Sequence, residues 1–111
     1  MSDLLTIAID YDGCWTRAPH LMRLIYDHAV HNLGHTVIMV TGRDRSDRRD
    51  IDADTSLPDR MPIYFTGGDP KASFMLRVHN IYVDLWIDDD PGKIAGPEWD
   101  GDGFEDFDEE A

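Results

Sequence analysis

The sequence predicts an α/β fold, a parallel sheet with helices on both faces, and three observations carry that expectation. Short apolar runs rich in β-branched residues alternate with a stretch of helical periodicity and with helix start signals. The first and last of those runs end abruptly in carboxylates, and Gly, Pro or Asp-Gly turn signals separate the runs. Such alternation calls for buried parallel strands joined by right-handed crossovers.

The first run, Leu4-Leu5-Thr6-Ile7-Ala8-Ile9, reads as a buried strand that stops at Asp10, with Asp12-Gly13 as the following turn. From Pro19 the positions Leu21, Leu24, Ile25, His28, Ala29 and Leu33 keep helical spacing, and Gly34 supplies the stop. Residues 36–40 are β-branched and apolar and end at Thr41-Gly42-Arg43, which reads as a second strand. Residues 43–59 are dense in Arg and Asp and are expected to form a polar loop with a short helix near 48–53. A third strand is expected at 62–65. After Thr66-Gly67-Gly68, Asp69 reads as an N-cap and Pro70 as the first position of a helix running towards Val78. Residues 82–87 form the last expected strand, ending in Asp88-Asp89-Asp90-Pro91-Gly92. Beyond Gly92 no periodic element is expected.

A length of 111 residues suits one domain, divided here into a folded unit at 1–95 and an acidic tail at 96–111. The formal net charge is −13, and residues 98–111 carry eight acidic side chains and no basic one. That balance argues against binding duplex nucleic acid or an anionic membrane, because both require a basic face. An anionic substrate therefore needs a local cationic device. No apolar run approaches the length of a membrane span, and the N-terminus lacks the basic start and small-residue cleavage site of a secretory signal. With Cys14 as the sole cysteine, the expected location is the cytoplasm. In the tail, Trp99, Phe104 and Phe107 sit among the charges, and its composition favours disorder over docking or capture of a basic partner.

The carboxylates carry the chemistry. Asp10 and Asp12 stand two residues apart at a strand end, and ligands of open α/β sheets bind outside the carboxyl ends of strands. If the last strand lies beside the first, Asp88 and Asp89 meet Asp10 and Asp12. Four converging carboxylates repel one another unless a cation sits among them, and an all-oxygen set suits Mg²⁺.

Ile7-Ala8-Ile9-Asp10-Tyr11-Asp12-Gly13, then Val40-Thr41-Gly42-Arg43, then Lys71, then Ile87-Asp88-Asp89 occur in an order that resembles the haloacid dehalogenase-like phosphatase superfamily. The resemblance spans residues 5–92. It implies a Rossmann-like sheet of order 3-2-1-4 with no cap domain, since the intervals after Gly13 and between Thr41 and Lys71 are short. It implies Asp10 as nucleophile, Asp12 as general acid and base, and Thr41, with Gly42 and Arg43, as holders of the phosphoryl group. Lys71 would neutralise that group, and Asp10, Asp12, Asp88 and Asp89 would hold Mg²⁺. The implied activity is hydrolysis of a phosphomonoester through an aspartyl phosphate, with a nucleotide or nucleic-acid end favoured because an open site excludes little. Cys14 stands where the family usually has threonine, which motivates the alternative of a protein that binds or sequesters a nucleotide-like ligand. A third reading makes the acidic tail a nucleic-acid mimic in an interaction module.

Each motif has a plainer reading. Asp-Gly is common at solvated turns, and Asp90 before Pro91-Gly92 reads as a turn residue. Lys71 opposes the helix dipole in a first turn, which favours a functional reason for it. Arg45, Arg48 and Arg49 alternate with Asp44, Asp47 and Asp50 and read as a self-paired face, while Arg43 is kept as a phosphate ligand. His28, His31 and His35 do not share one helix face and read as surface residues. Trp15 either stacks on a ligand ring or packs under the loop.

Overall fold

Alternation along the strands decides which helix covers which face of the sheet. The computed structural model describes residues 3–95. In β1 (Thr6–Ile9) and β2 (Thr36–Thr41), Ile7, Ile9, Val37 and Met39 project to one side, where Met22, Tyr26 and Ala29 meet them. Ala8, Ile38 and Val40 project to the other and pack on Met75 and Val83. Burying side chains of this size is worth ~1.5–3 kcal/mol each. The strands are therefore apolar at consecutive positions, as the sequence led us to expect.

β1 pairs in parallel with β2 and with β4 (Leu85–Ile87), and β2 pairs in parallel with β3 (Ile63–Phe65). The four-stranded sheet has the order β3-β2-β1-β4, so the chain is an α/β protein with a Rossmann-like sheet. Ile9 lies opposite Ile87, which brings the residues after β1 and after β4 side by side. Among the described residues no separate cap unit is formed, and no helix is long and apolar enough to cross a membrane.

α1 (Pro19–Asp27) starts at its proline and continues into one wider turn, His28–Asn32, where the Leu33 N–H donates to the His28 carbonyl at 3.1 Å. Gly34, at φ +81°, ends it. The polar segment contains a 3₁₀ turn (Arg45–Asp47) and α2 (Arg49–Asp52), anchored by buried Ile51.

Three local expectations are corrected. α3 (Lys71–His79) begins one residue later than the Asp69-Pro70 reading, with extended Pro70 at the cap position and its carbonyl accepting the Phe74 N–H at 2.9 Å. Asp69 caps nothing and faces Arg77 at 3.8 Å. β4 is shorter than 82–87 because Asp84 ties off the sheet edge: its N–H donates to the Thr6 carbonyl and its carboxylate accepts the Thr6 N–H, each at 2.8 Å. Beyond Gly92 the chain is not aperiodic. Pro91–Ala95 forms α4, which packs beside α3. The acidic tail at 96–111 lies outside the described residues.

Candidate active site

The turn after β1 sets the geometry. Tyr11–Trp15 forms one wide turn in which the Trp15 N–H reaches the Asp10 carbonyl (3.2 Å) and the Thr16 N–H the Tyr11 carbonyl (3.0 Å). Gly13 has φ +85°, and a Cβ on it would fall 2.3 Å from Oδ2 of Asp89. Only glycine meets both requirements, since a side chain there is strained and displaces the carboxylate after β4. Gly13→Ala is expected to lose about 1–2 kcal/mol of stability from the left-handed backbone alone, with a further loss as the Asp89 carboxylate is displaced. Urea unfolding reads the loss; an unchanged midpoint contradicts the geometry.

Tyr11 and Trp15 anchor the turn from below. Trp15 is fully buried and donates through Nε1 to Ser56 Oγ at 2.9 Å, so it packs under the loop. Tyr11 donates to Asp54 Oδ2 at 2.7 Å, and Ser56 donates to the other Asp54 oxygen through both its N–H (2.9 Å) and its hydroxyl (2.5 Å). Burial first, then the hydrogen bond to Asp54, pushes the Tyr11 phenol up to about 12. Burial works against the Asp54 charge, but the bonds from Ser56 and Tyr11 hold its carboxyl below the usual range.

At the strand ends the carboxylates divide into pairs with different partners. Lys71, 1% exposed, places Nζ 2.8 Å from Asp10 Oδ1 and 2.5 Å from Asp88 Oδ2. The other Asp88 oxygen accepts the Asp90 N–H at 3.0 Å, so both Asp88 oxygens have a partner. Burial raises the Asp10 carboxyl above its ordinary value, and Lys71 pulls against that rise. Asp89 takes a separate direction: one oxygen each of Asp10 and Asp89 and the Cys14 sulfur lie within 4.8 Å of one another. Burial, then the charges of Asp10 and Asp89, raises the Cys14 thiol above its ordinary value.

Asp12 faces the other wall. Both its oxygens accept from Arg43, at 2.9 Å from Nε and 2.8 Å from Nη2, and this fork holds its carboxyl below the usual range. Arg43 also stacks over the Tyr11 ring at 5.3 Å and lies near Asp47 and Asp50, at 3.9 and 3.6 Å. Thr41 is fully buried; its hydroxyl accepts the Arg43 N–H at 3.2 Å and shapes the Gly42-Arg43 turn. A cleft of about 320 Å³ opens here, lined by Asp10, Asp12, Gly42, Arg43 and Lys71 from the residues picked out by sequence.

Tested against this donor set, a hard divalent cation fits between Asp10 and Asp89, which each bring one oxygen within 4.8 Å of the other, with the bare Gly13 backbone beside Asp89. The Asp12 carboxylate is taken by Arg43, and Asp88 serves Lys71. The cleft also contains Gly68, Asp69 and Lys93, which sequence reasoning did not select. Lys93 follows Pro91, a helix-start residue, by two positions, and that signal was there to be read. Arg48 pairs with Asp52 at 3.0 Å, as a self-paired face requires. His35 accepts the Leu5 N–H at 3.0 Å, and none of the three histidines joins a metal-ligating group among the described residues.

Neither a protein-family model, nor a curated protein, nor a solved structure matches the chain.

Proposed function

We propose that the chain is a magnesium-dependent phosphohydrolase of the haloacid dehalogenase-like type, acting on a phosphomonoester, with nucleotides or nucleic-acid ends the favoured class. One observation carries this reading: buried Lys71 bridges Asp10 and Asp88, so groups 61 and 17 residues from it in sequence meet at the strand ends. A buried Lys between two carboxylates has a large desolvation cost, and it suits a site that must balance a phosphoryl dianion.

In the first half-reaction a carboxylate oxygen of Asp10 attacks phosphorus, the bond from phosphorus to the leaving oxygen breaks, and that oxygen takes a proton from Asp12. In the second, water attacks the aspartyl phosphate, its proton passes to Asp12, and Asp10 is released with inorganic phosphate. Arg43 holds Asp12 ionised, the form the second step needs. An arriving phosphate competes for that guanidinium and frees Asp12 to take up the proton for the first. Lys71 neutralises charge on the transferred group, and Thr41 sets the turn that presents Gly42 and Arg43 to it. When bound at Asp10 and Asp89, Mg²⁺ supplies the remaining charge neutralisation.

The test is phosphate release over a panel of nucleotides and sugar phosphates, with and without Mg²⁺, together with mass spectrometry of acid-quenched protein. We expect Mg²⁺-dependent release and a phosphoryl adduct on Asp10. No release from any member of the panel overturns the reading.

A second reading, a protein that binds a nucleotide-like ligand without turning it over, is favoured by the bidentate Asp12–Arg43 pair, which opposes protonation of the acid. Calorimetric binding of an unmodified nucleotide with no product formed distinguishes it.

A further inference from the structure

Three cations line the cleft, and two of them are committed. Lys71 is held by Asp10 and Asp88, and Arg43 by Asp12 with Asp47 and Asp50 behind it. Lys93 is exposed and has no ion-pair partner among the described residues. The backbone that carries it is nonetheless fixed. The Asp90 carboxylate accepts the Gly92 N–H at 3.1 Å, the Asp90 carbonyl accepts the Lys93 N–H at 3.0 Å, and the Asp90 N–H donates to Asp88 at 3.0 Å. The turn that carries Lys93 is thus tied to the same carboxylate that seats Lys71.

Lys93 lines the same cleft as Asp12, near enough for its charge to help hold that carboxyl down, behind the larger effect of Arg43. Asp12 marks the side on which the leaving group departs. On a chain of net charge −13, an uncommitted cation at that point attracts negative charge on the leaving group. We propose that Lys93 is a specificity-determining residue that receives a second phosphate on the leaving-group side, so that the preferred substrates are small organic compounds bearing two phosphates. The inference rests on the phosphohydrolase reading of the cleft. A volume of about 320 Å³ lies at the small end of ligand sites, which suits a compact doubly phosphorylated molecule better than a polymer.

Binding can be read without turnover by titrating methylenediphosphonate and methylphosphonate, whose P–C bonds the proposed chemistry does not cleave, into wild-type protein, Lys93→Met and Lys93→Arg. Wild type should prefer the diphosphonate by about tenfold or more, the scale of one charge-assisted hydrogen bond. Lys93→Met should reduce that preference by about the same factor and Lys93→Arg restore it. A mere structural role for Lys93 would weaken both ligands together. The proposal is overturned if wild type shows no preference, or if the ratio is the same in Lys93→Met. Failure of the phosphohydrolase reading looks different, since it shows as absent phosphate release while this ratio persists.

Discussion

Lys71→Met is expected to destabilise the protein by about 3–5 kcal/mol at pH 7, because it strands two carboxylates that share one buried cation. The side chains of Asp10 and Asp88 are 8% and 1% exposed, and Nζ of Lys71 is the one cationic group within ion-pair distance of them among the described residues. Against a total stability of about 5–15 kcal/mol for an ordinary domain, that loss is a large share. The pH dependence carries the diagnostic sign. Burial already raises the Asp10 carboxyl, and the variant removes the Lys71 cation that pulls it down, so Asp10 in the folded variant stands further above its unfolded value of about 3.9. Groups shifted in that direction contribute stability below the unfolded pKa and lose it as pH rises through the folded one. Lys71→Met should therefore recover stability as the buffer is taken from pH 7 towards pH 4. Asp12 and Asp54 are held low, so their contribution is present above the unfolded pKa and lost as pH falls. Urea midpoints followed by circular dichroism at several pH values decide the matter; a variant whose midpoint matches wild type at pH 7 contradicts the buried triad.

Parts of this arrangement were legible in the sequence for physical reasons that can be named. β1 and β2 are buried on both faces, so their letters are continuously apolar, and each stops where the chain leaves the sheet at Asp10 or Gly42. Lys71 stood out because a cation in the first turn of a helix opposes the dipole, and its buried ion pairs give the reason. The end of β4 was less legible. Asp84 replaces a backbone partner with its side chain at Thr6, and an isolated Asp looks the same in a loop. The division of labour between Asp88 and Asp89 could not be read at all, because it depends on which way successive side chains point once Ile87 is fixed beside Ile9. The same holds for the fork between Arg43 and Asp12, 31 residues apart, and for the Tyr11–Asp54 bond, 43 residues apart. α4 was misread for a different reason: Asp90-Pro91-Gly92 carries the letters of a turn and of a capped helix start alike, and packing beside α3 selects the second.

Asp10→Asn should separate chemistry from scaffolding. The amide keeps the shape of the side chain and removes its charge, so on the proposed phosphohydrolase reading phosphate release is expected to fall by at least about 10³-fold, since deleting a nucleophile from a concerted catalytic group costs that much or more. No phosphoryl adduct should survive acid quenching. Folding should survive, because Lys71 keeps Asp88 at 2.5 Å and no buried charge is stranded. Burial already raises the Asp10 carboxyl, which means that the folded state carries part of the cost of ionising it, and the neutral amide removes that cost. The two substitutions sit at opposite ends of one 2.8 Å contact, yet their signatures diverge. Removing the cation should cost stability in a pH-dependent way, whereas neutralising the anion should cost turnover at a nearly constant urea midpoint. If Asp10→Asn retains wild-type phosphate release, Asp10 is not the nucleophile, and Lys71 then bridges two carboxylates whose role is to hold the strand ends together.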